Sequence, residues 1–208
     1  VPSSEAGIVR FGCFNNPVKL GPEVARLWAE ILARVPNSRL VLRYKRLTDD
    51  PATRDHLVQV LGNAGIAKSR IEFRSGTLER TGHLALYREI DVALDPFPFN
   101  GCTTTFEALW MGVPVVCLAG RRFIGRMGAT MLPRVGLGDL VAATPGEYAD
   151  RAVALAGEVG RRAALRTSLR PRLQASVLCD KVAYARSVEA AYRFVLRSEE
   201  HTSELQSH

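Results

Sequence analysis

A short stretch of the sequence combines the groups that bind a nucleotide. It contains Gly101, Cys102, Thr103, Thr104 and Glu107. A glycine lets a ligand approach the backbone closely, and the first-turn N–H groups of a helix, together with its dipole, attract an anion such as a diphosphate. Glu107 follows Thr103 by one helical turn, and a carboxylate there can accept hydrogen bonds from two sugar hydroxyls. The spacing therefore predicts phosphate at the threonine end and ribose at Glu107.

The same residue types also have a purely structural explanation. Gly and Thr before a helix are common capping residues, and a single Glu in a helix is usually solvated. The combination favours a nucleotide site because the flanking residues Leu109, Trp110, Val113 and 115–118 are apolar and leave the polar residues at the loop.

Charged and aromatic residues elsewhere provide further candidates. Lys19 follows a predicted strand after Asn-Asn-Pro, which cannot continue a strand, so it lies on a loop at a strand end. A lysine there would neutralise charge on a departing diphosphate. His83 can hydrogen-bond to or stack on a base, and Lys45 and Arg46 are second-rank phosphate candidates. Each of these residues taken alone is also typical of a solvated surface.

These candidates lie where predicted strands end and helices begin. Residues 90–94 form an apolar strand, residues 103–111 a helix, and residues 115–118 a second apolar strand; Gly112 and Pro114 end the helix. A strand–loop–helix–strand unit favours a parallel sheet, in which ligands bind at the carboxyl ends of the strands.

The rest of the chain continues this alternation, which predicts an α/β fold. The other predicted strands are 8–13, 38–44 and 70–73, a short one ends at residue 141, and the predicted helices are 22–35, 50–64, 80–89, 144–159, 161–173 and 180–196. Trp28 is assigned to the core face of its helix. The basic segment 120–132 is predicted to be a lid or a helix beside the ligand.

The composition excludes several classes of protein. The 208 residues are 47% hydrophobic, enough for one sizeable core. The net charge of +7 comes from scattered arginines that form no basic face with interleaved aromatics, so nucleic acid is not the expected partner. The chain has neither an apolar run of about 18 residues nor a secretion signal, which predicts no membrane partner and a cytoplasmic location. The spacing of the four cysteines supports neither a disulfide framework nor a zinc site.

Several motifs together resemble a known enzyme family. They are FNNPVK at 14–19, LWAEILARVPNSRLVL at 27–42, IDVALDPFPFNGCTTTFEALWMGVPVV at 90–116, GRMGATML at 125–132 and VGLGDLVA at 135–142. In this order they resemble the C-terminal catalytic lobe of protein O-GlcNAc transferases and SPINDLY-type protein O-fucosyltransferases, which form glycosyltransferase family 41. The resemblance covers residues 8–197 and implies a Rossmann-like parallel sheet flanked by helices, with additional C-terminal helices, as one lobe of a GT-B fold.

The resemblance also assigns roles to individual residues. Lys19 matches the family lysine that contacts the donor diphosphate and is needed for catalysis, and Asn16 matches a polar donor-site position. His83 matches a histidine near the uracil ring, and Arg80 matches a basic position close to the ribose. Thr103 and Thr104 match the threonines that hold the diphosphate, and Glu107 matches the ribose-binding carboxylate. Cys102 stands where O-GlcNAc transferases commonly have histidine.

The function implied is inverting transfer of a sugar from a nucleotide donor to a protein Ser or Thr hydroxyl. UDP-GlcNAc is the first choice of donor, and GDP-fucose is the second because Asn16 followed by Pro17 is closer to the SPINDLY pattern. No metal or other cofactor is expected, because Lys19 and the helix end can balance the leaving-group charge. A non-catalytic nucleotide-binding domain is the alternative from another class, and the presence of Lys19 ranks it lower.

The domain prediction places one nucleotide-sugar-binding domain at 8–197. Residues 198–208 lack periodicity and are predicted to be a disordered or foreign tail. In the family an N-terminal lobe, the acceptor groove and helical repeats precede this segment. The isolated chain is therefore expected to bind its donor weakly and to catalyse little.

Overall fold

A parallel β-sheet forms the centre of the protein in a computed structural model, which describes residues 2, 7–44, 49–76 and 79–206, with side chains as far as residue 197. The strands are β1 (Val9–Cys13), β2 (Ser38–Leu42), β3 (Ile71–Phe73), β4 (Val92–Leu94), β5 (Val115–Leu118) and β6 (Val141–Ala142). Their order is β3-β2-β1-β4-β5-β6, and every neighbouring pair is parallel. The chain reverses its direction of winding between β1 and β4, which is where open sheets of this type bind ligands.

The helices connect the strands and extend the C-terminal part of the fold. They are α1 (Pro22–Arg34), α2 (Pro51–Asn63), α3 (Arg80–Ala85), α4 (Thr103–Trp110), α5 (Met127–Met131), α6 (Pro145–Gly157), α7 (Val159–Ala175) and α8 (Lys181–Gln206). The predicted α/β class with extra C-terminal helices is confirmed. The basic segment 120–132 does not form one continuous helix. It contains a 3₁₀ turn at Phe123–Gly125, followed by the short helix α5. Helix α8 continues past the boundary that the sequence predicts at residue 198.

The core connects the sheet to α1 and α6. Trp28 on α1 is fully buried, as predicted, and its Nε1 donates a hydrogen bond to the Tyr148 hydroxyl at 3.2 Å. The Tyr148 hydroxyl in turn donates to the main-chain carbonyl of Asp95, 3.1 Å away. Burying an aromatic or aliphatic side chain of this size contributes about 1.5–3 kcal/mol. This packing therefore anchors the residue that follows β4.

Gly112 ends α4 and turns the chain into β5, as predicted. It has a φ of +76°, which a glycine adopts without strain, and a Cβ here would collide with the main chain of Arg166. The next amide, Val113, donates to the Ala108 carbonyl at 2.8 Å and closes the helix end. The geometry brings β5 alongside β4 and aligns α4 with the carboxyl edge of the sheet.

Several of the arginines behind the positive charge of the chain have structural roles. Arg166 and Arg170 on α7 donate to the carbonyls of Met111 and Trp110 at the end of α4, at 3.3 and 2.7 Å. Arg162, which is almost fully buried, donates in the same way to the last turn of α6. Cations at helix C-termini compensate the unpaired carbonyls and the negative end of the dipole. Arg166 and Arg170 thus hold the end of α4, and Arg162 holds the end of α6.

Candidate functional site

The Lys19 side chain bridges the loops that follow β1 and β4. The Asn16 side chain accepts a hydrogen bond from the Val18 amide at 3.1 Å and caps the 3₁₀ turn Pro17–Lys19, which fixes the point where Lys19 leaves the backbone. Lys19 Nζ then donates to Asn15 Oδ1 at 3.1 Å and to the Asn100 carbonyl at 3.0 Å. The half-buried ammonium is thus held at the point where the sheet order reverses.

Thr104 lies beside this ammonium. Its hydroxyl donates to the same oxygen, Asn15 Oδ1, at 3.1 Å. Because both groups contact one atom, Lys19 Nζ and Thr104 Oγ1 are no more than about 6.2 Å apart. Cys102 and Thr103 are exposed just before them at the start of α4, where the first-turn amides have no intrahelical partner. Cationic, hydroxyl and amide groups therefore converge on one anion-sized region.

A buried carboxyl group supports the loop beneath this region. Asp95 follows β4, and its Oδ1 accepts a hydrogen bond from the Gly101 amide at 2.7 Å. A Cβ at Gly101 would come within 2.9 Å of Thr105 Oγ1 and 3.0 Å of Asp95 Oδ1, so only glycine fits without displacement. Burial raises the pKa of Asp95 to about 8, although the Gly101 hydrogen bond and the charge of Lys19 oppose this rise.

Burial shifts the pKa values of Asp95 and Lys19 in opposite directions, upward for the carboxyl group and downward for the ammonium. Burial lowers the pKa of Lys19 below its usual value, and Asp95, Cys13 and Cys102, when ionised, oppose this only in part. A carboxyl group that keeps its proton near neutral pH does not neutralise the lysine. The positive charge of Lys19 then remains available to an anionic ligand.

Glu107 lies one turn into α4, on the same edge of the sheet. Its Oε2 is 2.9 Å from His83 Nε2 and 3.0 Å from the Tyr87 hydroxyl. Burial raises the pKa of Glu107, but the hydrogen bonds from His83 and the Tyr87 hydroxyl and the nearby charge of Arg80 outweigh it and hold the pKa below its usual value. Glu107 is therefore an ionised acceptor with a fixed orientation.

His83 has partners at both ring nitrogens. Arg43 Nη1 lies 2.7 Å from His83 Nδ1, opposite the contact with Glu107. The ring also packs edge-on against Tyr87, with centroids 5.7 Å apart. Both ring nitrogens are thus engaged within the protein, and the predicted role of His83 at the base stays a prediction.

Comparison with known proteins identifies the family. The sequence model of glycosyl transferase family 41 matches residues 3–188. The chain belongs to this family. A relative from Arabidopsis thaliana, described as a probable UDP-N-acetylglucosamine–peptide N-acetylglucosaminyltransferase SPINDLY, is 40% identical over 192 residues, which are 92% of this chain and 21% of that protein. The corresponding protein of Solanum lycopersicum is 38% identical over 196 residues, 94% of this chain and 21% of its own length.

A solved structure extends the family 41 assignment to the fold. A mutant of the O-GlcNAc transferase of Thermobaculum terrenum superposes with a TM-score of 0.86 and 43% identity, covering 95% of this chain and 38% of that one. The sheet and its flanking helices match a GT-B glycosyltransferase lobe, so the predicted fold and family are confirmed. This chain spans about a fifth of the length of the SPINDLY relatives.

The fold brings most of the predicted residues of this family 41 chain to one edge of the sheet. Lys19 and Thr104 share a hydrogen-bonding partner, and Glu107 and His83 contact each other. Arg80 is exposed and close enough to influence the pKa of Glu107. The roles of these residues and of Asn16, Cys102 and Thr103 stay predictions. Lys45 and Arg46 lie outside the described residues.

Four residues that organise the site are not apparent from the sequence. Asn15 joins Lys19 to Thr104, Asp95 supports Gly101, and Arg43 and Tyr87 orient the His83–Glu107 pair. Asp95 was visible in the sequence only as the end of an apolar run. Asn15 and Asp95 come after strands that the sequence predicts, at the edge where ligands bind. Arg43 lies inside the predicted strand 38–44, whereas β2 ends at Leu42, so its place at this edge is visible only in the structure.

The described part of the chain lacks two kinds of feature, a membrane-spanning helix and a metal-binding cluster. Among these residues no helix is long and apolar enough to cross a membrane. Within the same residues no group of three or more His, Cys, Asp or Glu side chains could hold a metal ion.

Proposed function

We propose that this chain is the donor-binding lobe of an inverting protein O-glycosyltransferase that moves GlcNAc from UDP-GlcNAc to Ser or Thr hydroxyls. The observation that carries the proposal is the shared contact of Lys19 and Thr104 with Asn15, on the same edge of the sheet as Glu107. The names of the SPINDLY relatives support the choice of donor.

Each part of the donor has a matching group in this arrangement. The start of α4, with Thr103 and Thr104, binds the diphosphate through amides and hydroxyls. Glu107 accepts hydrogen bonds from the ribose hydroxyls, with Arg80 beside it. His83 stacks on the base, while Asn16 and Cys102 line the donor site.

Lys19 acts mainly on the transition state. As the bond to the anomeric carbon breaks, negative charge accumulates on the departing diphosphate, and an ammonium already in position stabilises that charge. Removal of Lys19 should thus reduce the rate more than the donor affinity. No metal is needed if Lys19 and α4 balance this charge, so activity of the full-length protein should persist in excess chelator; its loss would refute this part of the proposal.

The acceptor side is proposed to lie in a second lobe of the longer protein, preceded by helical repeats as in the family. Apolar side chains flank Lys19, since Val18 is 88% exposed and Phe99 46% exposed. The greater length of the SPINDLY relatives leaves ample sequence for such a lobe. The protein acceptor would bind between the lobes, so the isolated chain would bind its donor weakly without turnover. We further propose a cytoplasmic location, with neither a membrane nor a nucleic acid as partner.

Calorimetric titration of the chain with UDP-GlcNAc and GDP-fucose tests the donor assignment. Saturable heat with UDP-GlcNAc at lower concentration supports the proposal, and a preference for GDP-fucose would change the assignment to a protein O-fucosyltransferase. A parallel titration with a DNA or RNA oligonucleotide is the control for binding that depends only on the net positive charge of the chain. Binding of the oligonucleotide without binding of either donor would contradict the proposal. In the full-length protein, donor binding without turnover would indicate a non-catalytic domain.

A further inference from the structure

We propose that Arg43 is a positioning residue for the ribose-binding carboxylate and that it acts through His83. The inference rests on the proposed function, because it assigns Glu107 to the sugar hydroxyls of the nucleotide. Within the described part of the chain, Arg43 forms no hydrogen bond with the residues that are proposed to bind the diphosphate or the ribose.

Arg43 follows β2 directly and is held from several sides. It is 4% exposed, and its amide donates to the Cys13 carbonyl at 3.3 Å, which joins it to the end of β1. Its Nη2 donates to the Gly76 carbonyl at 3.3 Å, and its Nη1 lies 2.7 Å from His83 Nδ1. Contacts other than the one with His83 therefore fix the position of the Arg43 guanidinium.

This contact determines where His83 carries its proton. An arginine has five donors and no acceptor, so His83 Nδ1 must accept the hydrogen bond with its lone pair. A neutral imidazole that accepts at Nδ1 carries its hydrogen on Nε2. Arg43 thereby selects the Nε2–H tautomer.

The selected tautomer directs the carboxylate of Glu107. His83 Nε2–H donates to Glu107 Oε2 at 2.9 Å, and the Tyr87 hydroxyl lies 3.0 Å from the same oxygen. Among the described residues, no hydrogen bond reaches the other oxygen, Oε1. One carboxylate oxygen is thus held by the protein, while Oε1 is left for sugar hydroxyls. The opposite tautomer would face Glu107 with a lone pair and repel it.

A purely structural role for Arg43 makes a different prediction. If Arg43 only stabilised the sheet edge, its replacement would weaken every nucleotide to the same degree. If it orients Glu107, the loss falls on ligands with the full set of ribose hydroxyls, because only these use the directed oxygen. UDP and 2′-deoxy-UDP differ by one such hydroxyl and separate the two cases.

The test compares Arg43→Met with the parent chain by calorimetry of UDP and 2′-deoxy-UDP. We expect UDP to bind about tenfold more weakly to the variant, the effect of one hydrogen bond to a charged group, and 2′-deoxy-UDP to lose clearly less. Arg39→Met is the matched control, since Arg39 lies on the same strand but donates to the Ser69 carbonyl at the other end of the sheet. It should leave both affinities unchanged.

Nitrogen NMR of the histidine ring provides a readout without ligand. The parent should show His83 as the neutral Nε2–H tautomer. In Arg43→Met the Glu107 carboxylate still favours hydrogen on Nε2, but Nδ1 no longer faces a donor, so a larger share of doubly protonated ring is expected at the same pH. Arg43→Gln is a second variant in case methionine prevents folding. Its amide can donate or accept, so a buried polar partner remains while His83 Nδ1 is no longer obliged to act as an acceptor.

Equal losses for UDP and 2′-deoxy-UDP in the variants would overturn the positioning role while leaving the proposed function intact. An Nδ1–H or doubly protonated ring in the parent would overturn it too. Failure of the parent to bind any nucleotide, even with the expected tautomer, would refute the proposed function and the role of Arg43 with it.

Discussion

Replacing Asp95 by asparagine tests the account of the buried carboxyl group beneath the anion-binding loop. Asp95 is 2% exposed; its Oδ1 accepts from Gly101, and Oδ2 has no partner within the described residues. Burial raises its pKa to about 8, whereas an aspartate in an unfolded chain titrates near 3.9. Between these pH values the folded protein holds a proton that the unfolded chain has released. Its contribution to stability is therefore complete below pH 4 and is lost as the pH rises through 8.

The expected magnitude follows from this difference in bound protons. One proton changes the free energy of unfolding by about 1.4 kcal/mol for each pH unit. Over the whole window the loss is on the order of 5 kcal/mol, as an upper limit. Asparagine has the shape of the protonated carboxyl group, still accepts from Gly101 and does not ionise. The stability of Asp95→Asn relative to the parent should therefore rise by about 1 kcal/mol or more per pH unit between pH 5 and 7.5.

Urea unfolding of both proteins at pH 5.5, 6.5 and 7.5 measures this difference. Asp55→Asn, at an exposed position on α2, is the matched control and should differ from the parent by a constant amount. A stability difference between Asp95→Asn and the parent that does not change with pH would show that Asp95 is not a buried protonated group. A difference that turns against the variant as the pH rises to neutral would instead make Asp95 an ionised partner of Lys19.

Three further substitutions test other parts of the site. Lys19→Ala in the full-length protein should lower kcat by more than about a hundredfold, with a smaller change in donor affinity. The control Lys68→Ala, at an exposed turn, should leave steady-state kinetics unchanged. An unchanged kcat in Lys19→Ala would remove Lys19 from the mechanism. Gly101→Ala should cost about 1–3 kcal/mol in thermal unfolding and weaken nucleotide binding in calorimetry, since the new Cβ displaces the Thr104 hydroxyl; normal affinity would show that this loop does not contact the ligand. Tyr148→Phe should lower the free energy of urea unfolding by about 1–3 kcal/mol because it leaves two buried groups without their partner, and no change would contradict that hydrogen-bonding chain.

The parts of the fold that depend on local patterns could be predicted from the sequence. The alternation of apolar runs with amphipathic segments gave the parallel α/β architecture, and Gly112 and Pro114 marked the end of α4. Lys19 and Glu107 could be chosen as candidates because strand ends and helix starts are visible in a linear sequence. Only the resemblance to family 41 supplied the roles of Asn16 and Arg80.

The contacts that organise the site depend on tertiary pairing. Asn15 and Thr104 are 89 positions apart, and Arg43 and His83 are 40 apart, so no local pattern joins them. Asp95 ends its strand like many other residues; what distinguishes it is burial, which only the packed structure determines. The same applies to arginines such as Arg166, whose contacts with helix ends could not be distinguished from ligand-binding charge by composition.

Amide and side-chain NMR of the labelled chain during titration with UDP measures the convergence of these groups most directly. We expect saturable shifts at Gly101, Thr103 and Thr104, at the Lys19 ammonium and at the Glu107 carboxylate, all with one dissociation constant. Glu107→Gln should weaken UDP binding, and the Gly101 amide should still shift on saturation with UDP. Shifts confined to another face of the sheet, or different dissociation constants for Lys19 and Glu107, would contradict a single nucleotide site.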